Sequence, residues 1–197
     1  TPRMALPMLH YFTDKKFNLA HEVHELFTFS DVYADNYCRA LQINGFEWPV
    51  LGQVEQIKEY FPNMRIVLQL PRQILSAESP EQIVKRAKEY APFVDYCLID
   101  PSGGEGKDFN VKYSANLMSA LDEVMPNTRM GVAGGLSNEN VGRKIDELVE
   151  LYEGPFCVDA QGRLRSEDKQ SLDMQKAVEY ILGAVPMLQR YDLFMKK

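Results

Sequence analysis

The sequence predicts an α/β protein built from about six βα units of the (βα)-barrel (TIM-barrel-like) kind, forming an incomplete barrel. Two observations carry this. Six short apolar runs rich in β-formers begin at Met8, Ala40, Ile66, Tyr96, Met130 and Phe156, 26 to 34 positions apart, with longer amphipathic stretches between them. The last three runs each end in a polar, glycine-rich loop. Strands alternating with helices at this spacing imply right-handed crossovers and a parallel sheet. Six strands on their own favour an open doubly wound sheet, because a closed barrel has eight over about 250 residues. The loops reverse that preference, since phosphate in a (βα)8 barrel is held by the loops after strands seven and eight.

The predicted strands are Met8–Phe12, Ala40–Ile43, Ile66–Leu70, Tyr96–Ile99, Met130–Ala133 and Phe156–Val158. Helical patterns run over Leu51–Phe61, Gln82–Tyr90, Val111–Val124, Val141–Leu151 and Met174–Leu182. In Ser79-Pro80-Glu81-Gln82 a serine N-cap precedes a proline at the first helical position and a glutamine at the third, a capping box. Ser137 is expected to cap the stretch beginning Asn138-Glu139-Asn140. Pro62-Asn63, Pro126-Asn127 and Gly154-Pro155 stop the preceding helices.

Composition bounds the function. A chain of 197 residues, 45% hydrophobic and 25% charged, is expected to be one globular domain spanning 1–197, with an extended helical tail at 183–197. No apolar run reaches the roughly 18 residues that span a bilayer, and no signal peptide opens the chain, so neither a membrane nor an exported form is expected. The net charge of −6 argues against nucleic acid, whose backbone needs a concentrated basic face. It leaves room for a small anion, held by a few local donors. Three widely spaced cysteines, Cys38, Cys97 and Cys157, read as buried thiols in a reducing compartment, and the expected location is cytoplasmic. His21 and His24 are three apart, whereas the zincin pattern needs four, so they read as a solvated helix face and no metal is expected. Phe12, Phe17, Phe27 and Phe29 read as core or loop packing, and Trp48 as packing or as the rim of a ligand mouth.

The chemistry is expected in the three loops. They are Asp100-Pro101-Ser102-Gly103-Gly104-Glu105-Gly106-Lys107-Asp108-Phe109, then Gly134-Gly135-Leu136-Ser137, then Asp159-Ala160-Gln161-Gly162-Arg163-Leu164-Arg165. Glycine lets backbone N–H groups approach an anion with no Cβ in the way, and a following helix N-terminus adds partial positive charge.

The pattern Asp100…Gly103-Gly104-x-Gly106-Lys107-x-Phe109, followed by Ala133-Gly134-Gly135-Leu136-x-x-Glu139-Asn140-Val141, resembles the sixth and seventh loops of phosphoribosylanthranilate isomerases. Val158-Asp159-Ala160-Gln161-Gly162 resembles that family's eighth strand, and Gln42-Ile43-Asn44-Gly45 its fourth. The resemblance runs from about Met8 to Leu182 and is specific in the sixth and seventh loops. It implies a phosphorylated sugar substrate, an Amadori rearrangement, a place in tryptophan biosynthesis and no cofactor. Asp100 would be the general acid, a role open to a carboxyl group near neutral pH if burial raises its pKa. Gly135 and Gly162, with Gly134, Gly104 and Gly106, would hold the phosphate; Lys107 and Arg163 would add charge, and Asn44 would stand where the family has histidine.

The departures point elsewhere. If the first strand here is the family's third, the first two βα units are absent, and with them the family's cysteine base and an arginine. Cys38, Cys97 and Cys157 do not replace that base; Gln69 stands where the family sometimes has lysine, and Gln161-Gly162-Arg163-Leu164 where it has Ser-Gly-Val-Glu. A non-catalytic phospholigand-binding relative is therefore the alternative, with another phosphosugar barrel enzyme, an epimerase or aldolase, as a third reading. A six-stranded barrel leaves two strand edges, expected to be covered by the N-terminal segment, the tail or a second copy of the chain.

Overall fold

The computed structural model describes residues 7–14, 17–29, 38–102 and 109–191, with the side chain of Phe29 also outside the description. Six strands alternate with helices, as the periodicity requires. They are β1 (Met8–Phe12), β2 (Ala40–Asn44), β3 (Arg65–Pro71), β4 (Tyr96–Asp100), β5 (Arg129–Ala133) and β6 (Phe156–Asp159). The helices are α1 (Leu19–Phe29), α2 (Leu51–Tyr60), α3 (Arg72–Ala77), α4 (Pro80–Tyr90), α5 (Val111–Val124), α6 (Val141–Val149) and α7 (Met174–Arg190). A 3₁₀ turn, Gly162–Leu164, follows β6. Every predicted strand is present. The short helix α3 went unread, because Arg72-Gln73-Ile74-Leu75 carries a single buried position, Ile74, and no cap.

Contacts cluster into two compact units, residues 1–97 and 98–197, with the boundary inside β4. In the first unit β1, β2 and β3 are neighbours in chain order, parallel, with Leu9 level with Leu41 and Leu41 with Ile66. In the second unit β4 is followed by β5 and β6, again parallel, with Ala133 level with Asp159. Strands in sequence order are the order of a (βα) barrel; neither unit has the switch point of a doubly wound sheet.

The first unit's core explains the strand pattern. Ile66, Leu68 and Leu70 alternate along β3 and are all fully buried on one face, while Gln69 on the other face is buried by accepting from Gln42 Nε2 at 2.8 Å. Such aliphatic side chains each contribute about 1.5–3 kcal/mol on burial. The Ser79 capping box forms in both directions: Ser79 Oγ accepts from Gln82 N, and Gln82 Oε1 accepts from Ser79 N at 2.8 Å. Trp48 is packed, not displayed. It is 3% exposed, stacks on Tyr90 at 5.4 Å, donates from Nε1 to Glu78 at 2.9 Å and has the Arg86 guanidinium over its ring.

His21 lies 3.5 Å from Glu25 on the exposed face of α1, whereas His24 packs against the rings of Tyr60 and Phe61. Phe27 joins the core beside Phe61, and two other aromatics lie outside the core. Phe12 is half exposed and meets Phe46 edge-on, and Phe17 is largely exposed. The strand-end position of Phe12 and the turn position of Phe17 place them beyond the reach of the core. In the second unit α7 runs unbroken from Met174 to Arg190, with Pro186 inside it. Of the segments expected to cover the strand edges, residues 1–6 and the last part of the 183–197 tail, 192–197, lie outside the described residues.

Candidate functional site

Each described candidate residue lies at or just beyond the C-terminal end of a strand, where a parallel sheet directs its loops. The first unit contributes Asn44, the last residue of β2. Its Nδ2 is 3.3 Å from His10 Nε2, and its Oδ1 is buried without a hydrogen-bond partner. Beside it is a small cleft lined by Thr13, Asn44, Gly45, Glu47 and Gln69, with room for about one water molecule. Gly45 is required there, because a Cβ on it would lie 2.9 Å from the carbonyl oxygen of Thr13.

The second unit contributes the rest. Asp100 ends β4 and is 7% exposed. Its Oδ1 accepts from Ser102 N at 3.0 Å and from Ser102 Oγ at 2.6 Å, so the carboxylate folds the chain back over itself in a tight turn. Residues 103–108 lie outside the described residues, and Gly104, Gly106 and Lys107 with them. The chain is described again from Phe109, which is buried, with Lys144 Nζ of α6 5.2 Å above its ring. Lys144 is itself buried, and its Nζ is 3.6 Å from Glu147.

Gly134 and Gly135 follow β5 directly, with φ of +110° and +63°. These are left-handed conformations that L side chains avoid, which explains the glycine pair. A Cβ on Gly134 would also fall 3.1 Å from Ser102 Cβ, so the β4 and β5 loops touch. The expected Ser137 cap is not what forms. α6 begins at Val141, and Asn140 instead reaches back: its Oδ1 accepts from Ser137 N at 2.9 Å and its Nδ2 donates to Gly135 O at 2.9 Å. The cause is the intervening turn, Ser137 to Asn140, closed by Asn140 N on Ser137 O at 3.3 Å. The Gly134-Gly135 turn is thus braced by an asparagine side chain and stands one turn before the helix N-terminus expected to adjoin it.

After β6, Gly162 opens the 3₁₀ turn with Arg163 exposed beside it. Gly162 is not in the left-handed region, so its glycine meets no conformational demand of the turn. Since Ala133 and Asp159 are level, the β5 and β6 loops leave the sheet side by side.

Asp100, Gly134, Gly135, Gly162 and Arg163 therefore share one end of the second unit. Sequence reading missed Ser102 and Asn140 as partners of that end. An Asp-x-Ser turn and an asparagine one residue before a helix were the available signals. None of the three cysteines is in a disulfide. Cys157 packs against Gly131, where a Cβ would lie 2.6 Å from its Sγ, and burial, with Asp159 nearby, pushes its thiol up to about 11. Among the described residues no three His, Cys, Asp or Glu side chains assemble to hold a metal, and no helix is long and apolar enough to cross a membrane.

No protein-family model and no curated protein matches the chain. Solved structures do. N-(5′-phosphoribosyl)anthranilate isomerase from Pyrococcus furiosus superposes with a TM-score of 0.50 at 11% identity, over 91% of this chain and 88% of that one. Phosphoribosyl anthranilate isomerase from Thermococcus kodakaraensis gives 0.48 at 14% identity, over 89% and 86%. A structure described as native KDPGal gives 0.49 at 12% identity, over 95% and 98%. At such identities the likeness is one of fold, and the fold is that of the TIM-barrel-like isomerase from Pyrococcus furiosus.

Proposed function

We propose that this chain binds a phosphorylated sugar at the strand ends of its second unit, as a diverged relative of the phosphoribosylanthranilate isomerases. The carrying observation is the Gly134-Gly135 turn, left-handed at both residues, in contact with the loop that holds Asp100. A turn without side chains puts no Cβ between an anion and its backbone N–H groups, and charge-assisted bonds of that kind contribute about 1.5–3 kcal/mol each before the ligand is ordered. Gly134, Gly135, Gly162 and Arg163 make up the cradle in this reading, with Gly104, Gly106 and Lys107 of the 103–108 segment as further donors. In the first unit Asn44 Oδ1 offers an acceptor to a polar ligand.

Asp100 is the proton donor of this proposal, protonating the sugar's ring oxygen as the ring opens to a Schiff base. Turnover further needs a base to remove the C2′ proton. Cys157 is ill suited to it, because a thiol raised to about 11 is ionised in only about one molecule in 10⁴ at pH 7. In the register in which β1 matches the family's third strand, the position of the family's own base falls outside these 197 residues. Losing one member of an acid–base pair costs about 10²–10⁴ in rate. The function we infer for these 197 residues is therefore phosphosugar binding, with turnover dependent on a base that they do not themselves supply at the family's position.

Calorimetry with a reduced, non-reactive aminosugar phosphate, run beside a fluorescence turnover assay, tests both halves. Binding without turnover is the expected result. Robust turnover would mean that a base has been overlooked, and absence of binding would reduce the glycine loops to turns.

A further inference from the structure

Ser102 makes the two oxygens of Asp100 unlike. Its backbone N, at 3.0 Å, and its Oγ, at 2.6 Å, both donate to Oδ1, and both residues are buried. A protonated carboxyl group accepts through its carbonyl oxygen and donates through its hydroxyl. Two donors on Oδ1 make that oxygen the carbonyl, so the proton of the acid form resides on Oδ2. The same serine lies against the glycine turn, since a Cβ on Gly134 would fall 3.5 Å from both Ser102 N and Ser102 Oγ. In a furanose 5-phosphate a single exocyclic carbon separates the ring from the phosphate ester. A phosphate seated on the turn therefore keeps the ring oxygen within reach of a carboxyl group whose proton is confined to one oxygen.

We propose that the second unit interconverts the two anomers of a furanose 5-phosphate. This activity rests on the phosphosugar binding of the preceding section and adds a reaction to it. Isomerisation needs a base at the carbon next to the anomeric centre; ring opening does not. Asp100 passes its Oδ2 proton to the ring oxygen, and the bond from that oxygen to the anomeric carbon breaks, its electron pair going to the oxygen. A lone pair of the anomeric hydroxyl completes a carbonyl, and that hydroxyl's proton passes to water. Rotation about the adjacent carbon–carbon bond turns the other face of the aldehyde to the newly formed hydroxyl, which adds back. Its proton returns to Asp100, and water returns one to the carbonyl oxygen. Nothing is oxidised or reduced. A positioned general acid contributes about 10²–10⁴-fold, so a single carboxyl group suffices for this step.

Magnetisation-transfer NMR of ribose 5-phosphate with the full chain, in a buffer free of phosphate, reads the exchange between α and β anomers. Exchange at least ~100-fold above the protein-free rate is expected for the bound sugar, competed away by inorganic phosphate. The phosphate arm reads the wild type and needs no variant. Asp100→Asn then isolates the proton: its amide oxygen still accepts both Ser102 bonds, so the circular dichroism spectrum and the calorimetric binding of ribose 5-phosphate are expected to persist while exchange falls to the protein-free rate. Exchange that survives in Asp100→Asn, or that inorganic phosphate does not suppress, overturns the proposal. Ribose 5-phosphate that binds the wild type without exchanging faster overturns it too, and leaves phosphosugar binding standing. Absence of binding removes both.

Discussion

Gly134 and Ser102 approach so closely that a Cβ on the glycine would lie 3.1 Å from the serine Cβ, and Ser102 in turn holds Asp100 through its hydroxyl and its backbone N–H. The glycine turn and the buried carboxylate are thus one construction, and changes at either are felt at both. Gly134 also adopts φ +110°. Gly134→Val is therefore expected to cost about 1–3 kcal/mol from backbone strain, before any displacement of Ser102. Thermal unfolding should show a melting temperature lower by several degrees, at roughly 2–4 °C per kcal/mol for a chain of this length. An unchanged melting temperature would refute the strained, crowded turn.

Ser102→Ala removes the 2.6 Å hydroxyl bond to Asp100 and leaves the 3.0 Å bond from its backbone. Removing a donor from a buried acceptor costs about 1–3 kcal/mol, and the backbone donor remains. The expected loss in urea unfolding is about 1–2 kcal/mol, with Ser102→Thr retaining most of the stability. Equal effects of alanine and threonine would point to packing instead of the hydroxyl.

Asp95 anchors the first unit. It accepts from Lys58 Nζ at 2.9 Å, from Ile66 N at 3.0 Å and from the Arg65 guanidinium. Burial alone would raise its pKa, but the bonds from Ile66, Lys58 and Arg65 outweigh that and hold it below the ordinary carboxylate value. A depressed pKa means stability that is complete above the unfolded value, near pH 4, and lost as pH falls through the folded one. The wild type should therefore lose more stability below about pH 4 than Asp95→Asn does. Parallel acid curves for the two would contradict the assignment.

Cys157, pushed up to about 11 by burial and by Asp159, should react with iodoacetamide far more slowly at pH 8 than a model thiol. Its rate should keep rising towards pH 11, as read by mass spectrometry of the modified peptide. Fast modification at neutral pH would instead give it the reactivity that a catalytic base requires.

The sequence made the repeats legible because strand and helix periods differ and the caps are local. Ser79 and Gln82 bond each other within four residues, so the capping box could be read without knowing the fold. Ser137 looked equally local but was misread. Asn140 competes for the same backbone, bonding Ser137 N and Gly135 O, and a contest between two polar side chains is decided by the loop's shape. Trp48 shows the same limit: its stacking on Tyr90 and bond to Glu78 join residues 42 and 30 positions away. At the site, glycine spacing pointed to Gly134 and Gly135, which do need φ above zero, but it also selected Gly162, which does not. Ser102 escaped notice because nothing in its sequence neighbourhood says that Gly134 will lie against it.

The central claim, that these turns hold a phosphate, is tested most directly by following the backbone amides of a ¹⁵N-labelled chain as ribose 5-phosphate is added. The account predicts saturable shifts concentrated at Gly134, Gly135, Gly162 and Arg163, reproduced by inorganic phosphate and lost in Gly135→Val. Shifts that are absent, or that fall away from these four residues, would contradict it.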